Sequence, residues 1–360
     1  MKKLGFGLMR LPKLNEQIDI TRTAAMADEF LKQGFTYFDT AYVYPGSEEA
    51  FHAAIGSRHK REEYLLADKL PVWALESAED CEKVFATSLA RCGVDYFDYY
   101  MVHSITDDKL DKIKEYKMFD FCRRKKAEGK VKRIGFSFHG SPAVLEDLLN
   151  EHPDVDFVQL QINYLDWDNG IIASRINYET VRRHGKDIII MEPVKGGALA
   201  NLKADAVAEF AAVTPGASPA SFALRYAATL PGVIMVLSGM SNEEQMADNL
   251  ATFGNLKELS EAERHAIETV RRITLDSPVI GCTACGYCVE GCPSGIPIPS
   301  IFKAYNQQLL SGNGGERYAK VTDGKGKAAD CIGCGACENV CPQHLPIVQT
   351  LADAAKTFDQ

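Results

Sequence analysis

Thiols are scarce over most of this 360-residue chain: only Cys81, Cys92 and Cys122 precede residue 282. Long apolar runs are missing as well. No window reaches the ~18 apolar residues of a membrane span. The N-terminal MKKLGFGLMRLPKLNEQ holds no apolar stretch long enough for a signal peptide, so no membrane partner is expected and the expected location is cytoplasmic. Basic charge is not in excess. A formal net charge of -9 and a pI near 5.5 argue against a phosphate-binding face, and the run Arg123, Arg124, Lys125, Lys126 reads as a solvated helix face rather than a nucleic-acid site. No G-x-G-x-x-G occurs. The glycines of SGNGG follow no strand and precede no Gly-Lys-Ser/Thr, so they read as a linker and not a phosphate loop. With 46% hydrophobic and 25% charged residues, the first part can bury a core without disulfides or metal.

What is present is an alternation of strand and helix. Runs rich in β-branched and aromatic residues predict strands near Leu4–Met9, Thr36–Asp39, Tyr64–Asp68, Asp98–His103, Arg133–Ser137, Phe157–Gln161, Ile188–Glu192 and Val233–Leu237. Helical periodicity marks Thr21–Gln33, Ala78–Arg91, Leu110–Glu128, Pro142–Asn150, Tyr178–His184, Pro219–Ala228 and Glu243–Leu250, and Ser260 with Glu263 resembles a capping box opening a helix toward Ile273. Parallel strands joined by right-handed crossovers follow, and eight repeats favour a (β/α)8 TIM barrel of the α/β class over an open sheet. The pattern changes where Pro278 breaks the preceding helix, so the expected division is a barrel over residues 1–275 and a small C-terminal domain over 276–360. In that domain a helical stretch from Pro299 to Leu310 precedes SGNGGER and DGKGK, read as flexible loop.

The remaining eight cysteines form two copies of C-x2-C-x2-C-x3-C-P: Cys282, Cys285, Cys288, Cys292 and Cys331, Cys334, Cys337, Cys341, each 49 residues after its counterpart. Three thiolates two residues apart wrap a tight loop around one face of an iron-sulfur cube, with Gly286, Gly333 and Gly335 letting backbone N–H groups approach the sulfides. Structural zinc, the alternative, normally takes two C-x2-C pairs. Cys81, Cys92 and Cys122 fall in helical segments and read as small apolar residues. The pattern resembles bacterial two-cluster ferredoxins over roughly residues 278–348. The longer insertion between motifs, with its helix, favours the helical ferredoxin fold. The resemblance implies two 4Fe-4S clusters with crossed ligands: Cys282, Cys285, Cys288 and Cys341 on one, Cys331, Cys334, Cys337 and Cys292 on the other.

In the barrel, FDTAYVYPGSEEAFHAAIG puts Asp39 at the C-terminal end of a strand and Tyr44 in the loop after it, while Lys69 and His103 fall at the ends of the next two strands. Such strand ends are where barrel chemistry sits. Singly, each has a plain reading: a cap, a loop tyrosine, a surface lysine, a core histidine. Together they supply acid, base and orienting groups. The set is similar to the aldo-keto reductase family over about residues 4–255: D-x4-Y at Asp39 and Tyr44, Lys69, His103, a G-x-S strand at Gly135 and Ser137, a Gln strand at Gln159, and a late helix with Asn249. The resemblance implies a nicotinamide cofactor, NADH or NADPH, bound extended without a Rossmann fold, and a small-molecule carbonyl or alcohol as substrate. It further implies that Lys69 stabilises the Tyr44 phenolate, Asp39 holds Lys69, and His103 orients the carbonyl.

Departures from the family pattern accompany it. Ser137 is followed by Phe138 rather than Asn, Met191 and Glu192 stand where an aromatic ring and a serine are common, and LSGMSNEEQMADN lacks the usual clamp for a 2'-phosphate. Lys195 reads either as a pyrophosphate contact or as a solvent lysine. A hydride carries two electrons and each cluster takes one, so coupling requires a flavin, FMN or FAD, in the barrel mouth or on a flavoprotein partner. Two alternatives stand beside the coupled enzyme: an electron-transfer protein with a degenerate barrel, and a reductase whose clusters are structural.

Overall fold

In a computed structural model, which describes residues 2–359, each apolar run forms one of eight parallel strands. They are β1 (Leu4–Gly7), β2 (Tyr37–Asp39), β3 (Leu65–Pro71), β4 (Phe97–Ile105), β5 (Val131–Phe138), β6 (Phe157–Gln161), β7 (Asp187–Met191) and β8 (Val233–Ser238). Each pairs with its sequence neighbours, and β8 closes onto β1. Closure leaves no unpaired sheet edge.

Because side chains alternate along a strand, one set converges inside the barrel. Tyr37, Ala67, Tyr99, Met101, Phe157, Ile189, Met235 and Leu237 form one buried cluster drawn from six strands. Tyr37 meets Tyr99 edge-on at 5.0 Å, and Tyr99 meets Phe157 at 5.3 Å. Burying each large apolar side chain contributes about 1.5–3 kcal/mol. Gly135 pairs with Phe157, and any Cβ there would lie 2.3 Å from the Phe157 carbonyl oxygen and 2.9 Å from its ring, so backbone and ring together occupy the volume a side chain would need.

The helices lie within a few residues of the predicted spans, with instructive exceptions. The predicted Leu110–Glu128 helix is two, Leu110–Glu115 and Met118–Ala127, broken at Lys117, whose φ is 49°. A helix at Ser47–Phe51, continuing into a π-helical turn over His52–Gly56, was not signalled by periodicity. The capping box forms as expected: Ser260 N–H donates to Glu263 Oε2 at 2.8 Å and Glu263 N–H to Ser260 Oγ at 3.2 Å, opening the helix Glu261–Leu275.

By internal contacts the chain forms two units. The first runs to Pro193 and resumes at Ala220–Arg264; the second comprises Val194–Pro219 and His265–Gln360. From His265 onward the second unit contains no strand among the described residues. Its helices Ile298–Ser311 and Ile347–Phe358 begin 49 residues apart, in step with the cysteine repeat. They enclose a core of Ile298, Ile301, Phe302, Ile347 and Leu351. Part of SGNGGER is not loop: Gly315–Thr322 is helical because Tyr318 is buried, stacks on Phe358 at 4.4 Å and donates to Asp359 Oδ2 at 2.7 Å. DGKGK stays non-helical. No helix among the described residues is long and apolar enough to cross a membrane.

Candidate active site and cysteine cavities

Strand register brings the predicted barrel residues together. Lys69, on β3, is fully buried; its Nζ donates to Asp39 Oδ1 and to the Thr40 carbonyl, each at 2.5 Å. Asp39 closes β2, and the chain then turns through a loop pinned at its far end by Ser47, whose Oγ lies 2.7 Å from Thr40 Oγ1 and donates to the Leu8 carbonyl at 3.1 Å. That loop sets the Tyr44 ring 4.8 Å from Lys69 Nζ. His103, on β4, meets the Tyr44 ring edge-on at 5.9 Å and the Trp73 ring at 5.1 Å.

Electrostatics follow from burial. Burial pushes the His103 imidazole well below its ordinary value of 6.5, and the positive charges of Lys69, His139 and Lys109 push it further. It is therefore neutral at pH 7 and can offer one ring N–H. Burial raises the Asp39 carboxyl above the ordinary carboxylate range, against the pull of the Lys69 ammonium bonded to it. Trp73 and Lys109, whose Nζ sits 5.1 Å from the Trp73 ring, lie beside His103, yet neither falls in a motif.

The other predicted residues fare unequally. Gln159 keeps Oε1 buried with no donor among the described residues, while its Nε2 lies 3.4 Å from Met191 Sδ. That leaves room for one N–H donor. Ser137 Oγ accepts the Ser104 N–H at 2.7 Å, and Asn249 Nδ2 donates to Ser238 Oγ at 2.6 Å. Glu192, in a left-handed conformation with φ 55°, pairs with Arg10 at 3.3 Å. Lys195 belongs to the second unit, where its Nζ reaches Gln343 Oε1 at 3.4 Å.

The cysteine loops repeat in backbone as well as spacing. Ala284 and Gly333 have φ of 54° and 71°, Gly286 and Gly335 85° and 74°, so each loop curls through two left-handed residues. None of the eight cysteines is in a disulfide. Cys282, Cys285 and Cys288 line one cavity together with Cys341, and Cys331, Cys334 and Cys337 line another together with Cys292. These spaces measure about 320 and 330 Å³, partly open to solvent, and Ile298 lines both. Burial, then the neighbouring sulfurs of Cys285, Cys282 and Cys341, push the Cys288 thiol up to about 12. Four sulfurs so crowded suit a cationic centre, and four thiolates are the ligand set of a 4Fe-4S cluster.

A closed eight-stranded parallel barrel with a polar constellation at its strand ends, joined to a helical module holding two four-cysteine cavities, defines an oxidoreductase with an iron-sulfur domain. Comparison with known proteins makes this specific. The Aldo/keto reductase family matches residues 3–272, three quarters of the chain, and a 4Fe-4S dicluster domain matches residues 281–345. The chain belongs to the aldo/keto reductase family. An aldo-keto reductase of Mycolicibacterium smegmatis is 27% identical over 254 residues, covering 70% of this chain and 83% of that protein. L-galactose dehydrogenase of Arabidopsis thaliana is 24% identical over 304 residues, covering 77% and 93%. The crystal structure of an aldo-keto reductase from Klebsiella pneumoniae in complex with NADPH superposes with a TM-score of 0.62 at 20% identity, covering 75% of this chain and 90% of that one, which speaks for the fold.

Proposed function

We propose that the barrel interconverts a small carbonyl and its alcohol by hydride transfer with NADH or NADPH, and that the C-terminal domain, taken as residues 276–360, couples this to electron transfer through two 4Fe-4S clusters. The observation that carries the reading is the Lys69 ammonium held at 2.5 Å from Asp39 and 4.8 Å from the Tyr44 ring. When bound, nicotinamide would supply the hydride and the clusters would hold single electrons. The rest is work for side chains. Lys69 stabilises phenolate character on Tyr44, so that a phenol with an ordinary value near 10 exchanges a proton with the substrate oxygen at neutral pH. Asp39 fixes Lys69 and balances its charge. His103, neutral, donates an N–H to the same oxygen and so orients the carbonyl.

Gln159 Oε1 suits the NH2 of a carboxamide, with Ser137 and Met191 beside it in the barrel mouth, and Asn249 stands on the helix that would face the adenosine end. Cross-ligation is supported by the grouping of Cys341 with the first motif and Cys292 with the second. Splitting an electron pair into single electrons would call for FMN or FAD, in the mouth or on a flavoprotein partner, and a ferredoxin-type partner would exchange the single electrons. The Glu192–Arg10 pair, a carboxylate where the family commonly has a serine, favours a second reading in which the barrel no longer binds nucleotide. NADPH and NADH titration of anaerobic holoprotein by fluorescence separates the two: saturable binding supports the enzyme, and no binding of either supports the electron carrier.

A further inference from the structure

Behind the tetrad of Asp39, Tyr44, Lys69 and His103, on the outward face of β3, lies a second buried cluster. Asp68 precedes Lys69, so its side chain points opposite to the lysine, toward the helices. There it meets Glu48, from the helix that begins three residues after Tyr44, and Cys92, at the end of the helix Asp80–Cys92. One ligand atom of each lies within 4.8 Å of the others. None of the three is more than 1% exposed.

The cations nearby do not balance two carboxylates. Arg91 donates to Glu48 Oε2 at 3.0 Å, also reaching Glu49 at 3.3 Å, and the Lys69 ammonium is committed to Asp39. Asp68 accepts the Lys69 backbone N–H at 2.6 Å and faces the Cys92 thiol at 3.8 Å. Glu48 Oε1 is buried and has no donor among the described residues. A buried carboxylate without a counter-charge retains a proton, and a buried acceptor without a donor needs one. One proton meets both needs.

We propose that Asp68 and Glu48 share a single proton, and that this acid–carboxylate hydrogen bond ties the segment after Tyr44 to the strand carrying Lys69, making the two carboxyls a positioning pair for the tetrad. Burial and the adjacent Glu48 raise the Asp68 carboxyl far above the ordinary range, in keeping with this. Cys92 is pushed far up by burial, Asp68 and Glu48, so it stays a thiol. Tyr100, beside Asp68 in the β3–β4 register, is likewise held as a phenol by burial.

The inference rests on the tetrad reading for its activity arm only. Infrared spectroscopy of the full holoprotein in D2O should show the carbonyl band of a protonated buried carboxylic acid, lost in both Asp68→Asn and Glu48→Gln, whatever the barrel catalyses. Asp68→Asn, which keeps an uncharged donor toward Glu48, should retain NADPH-dependent reduction of 4-nitrobenzaldehyde within about threefold. Asp68→Ala should lose at least tenfold in kcat with little change in KM. Absence of the band, an asparagine variant as impaired as the alanine one, or a metal ion bound beyond the cluster iron and lost in Asp68→Ala would overturn the proposal. If the band is present while no variant or wild type reduces the aldehyde, the positioning role falls along with the tetrad reading, and the shared proton stands.

Discussion

The barrel and the cysteine module place their reactive groups by opposite means. Asp39, Tyr44, Lys69 and His103 are scattered over 65 positions and meet only because parallel strands in register bring successive strand ends side by side. The cysteines are local: three of each four sit within seven residues, and only Cys341 and Cys292 join a cavity across the repeat. A site built by topology is as stable as the fold that carries it. A site built by a loop depends on its ligand. Breaking one should therefore leave the other intact, and the predictions test that separation.

The largest effect is expected from Tyr44→Phe. Loss of the proton donor should lower carbonyl reduction by about 10²–10⁴-fold, with iron content and nucleotide binding unchanged; an active variant would show that another group supplies the proton. Next comes Lys69→Met, which leaves Asp39 buried without its cation. Removing one partner of a buried pair costs about 3–5 kcal/mol, read as a lower denaturation midpoint for the barrel while the cysteine module keeps its iron. Replacing Cys292 by serine does the converse: iron should fall from about eight to about four atoms per chain as the cluster of the second motif is lost, with the barrel's midpoint unmoved. Loss of the first motif's cluster instead would contradict crossed ligation.

Legibility in the sequence divides along the same line. The cysteine spacing needs no fold to be read, and the eight strands announced themselves as apolar runs rich in β-branched and aromatic residues. Side chains that act through space were invisible: Trp73 and Lys109 beside His103, and Glu48 against Asp68, belong to no motif and are neighbours only in the folded barrel. The break at Lys117 carries no glycine or proline to mark it, and nothing in Val194–Pro219 shows that Gly196 must lack a side chain to pass the Thr283 backbone. The helix Gly315–Thr322 was hidden by its flanking glycines, although Tyr318 anchors it.

A smaller effect concerns pH. His103 is held neutral in the fold, so below its ordinary value of 6.5 the unfolded chain binds a proton that the native one does not. Stability from this group is therefore full above pH 6.5 and declines as pH falls, by up to about 1.4 kcal/mol per pH unit. His103→Gln should flatten the difference between midpoints at pH 7.5 and 5.5; an unchanged difference would place the acid sensitivity elsewhere.

Coupling between the two regions is open to a direct test by anaerobic reduction. NADH or NADPH is added to holoprotein with and without FMN, and the clusters are followed by bleaching and by the reduced-cluster EPR signal. The signal should appear with nicotinamide and flavin together, at no more than a trace with nicotinamide alone, and disappear when the cluster cysteines are replaced. Clusters that stay oxidised under every condition, with carbonyl turnover unaltered in a folded protein lacking them, would contradict it.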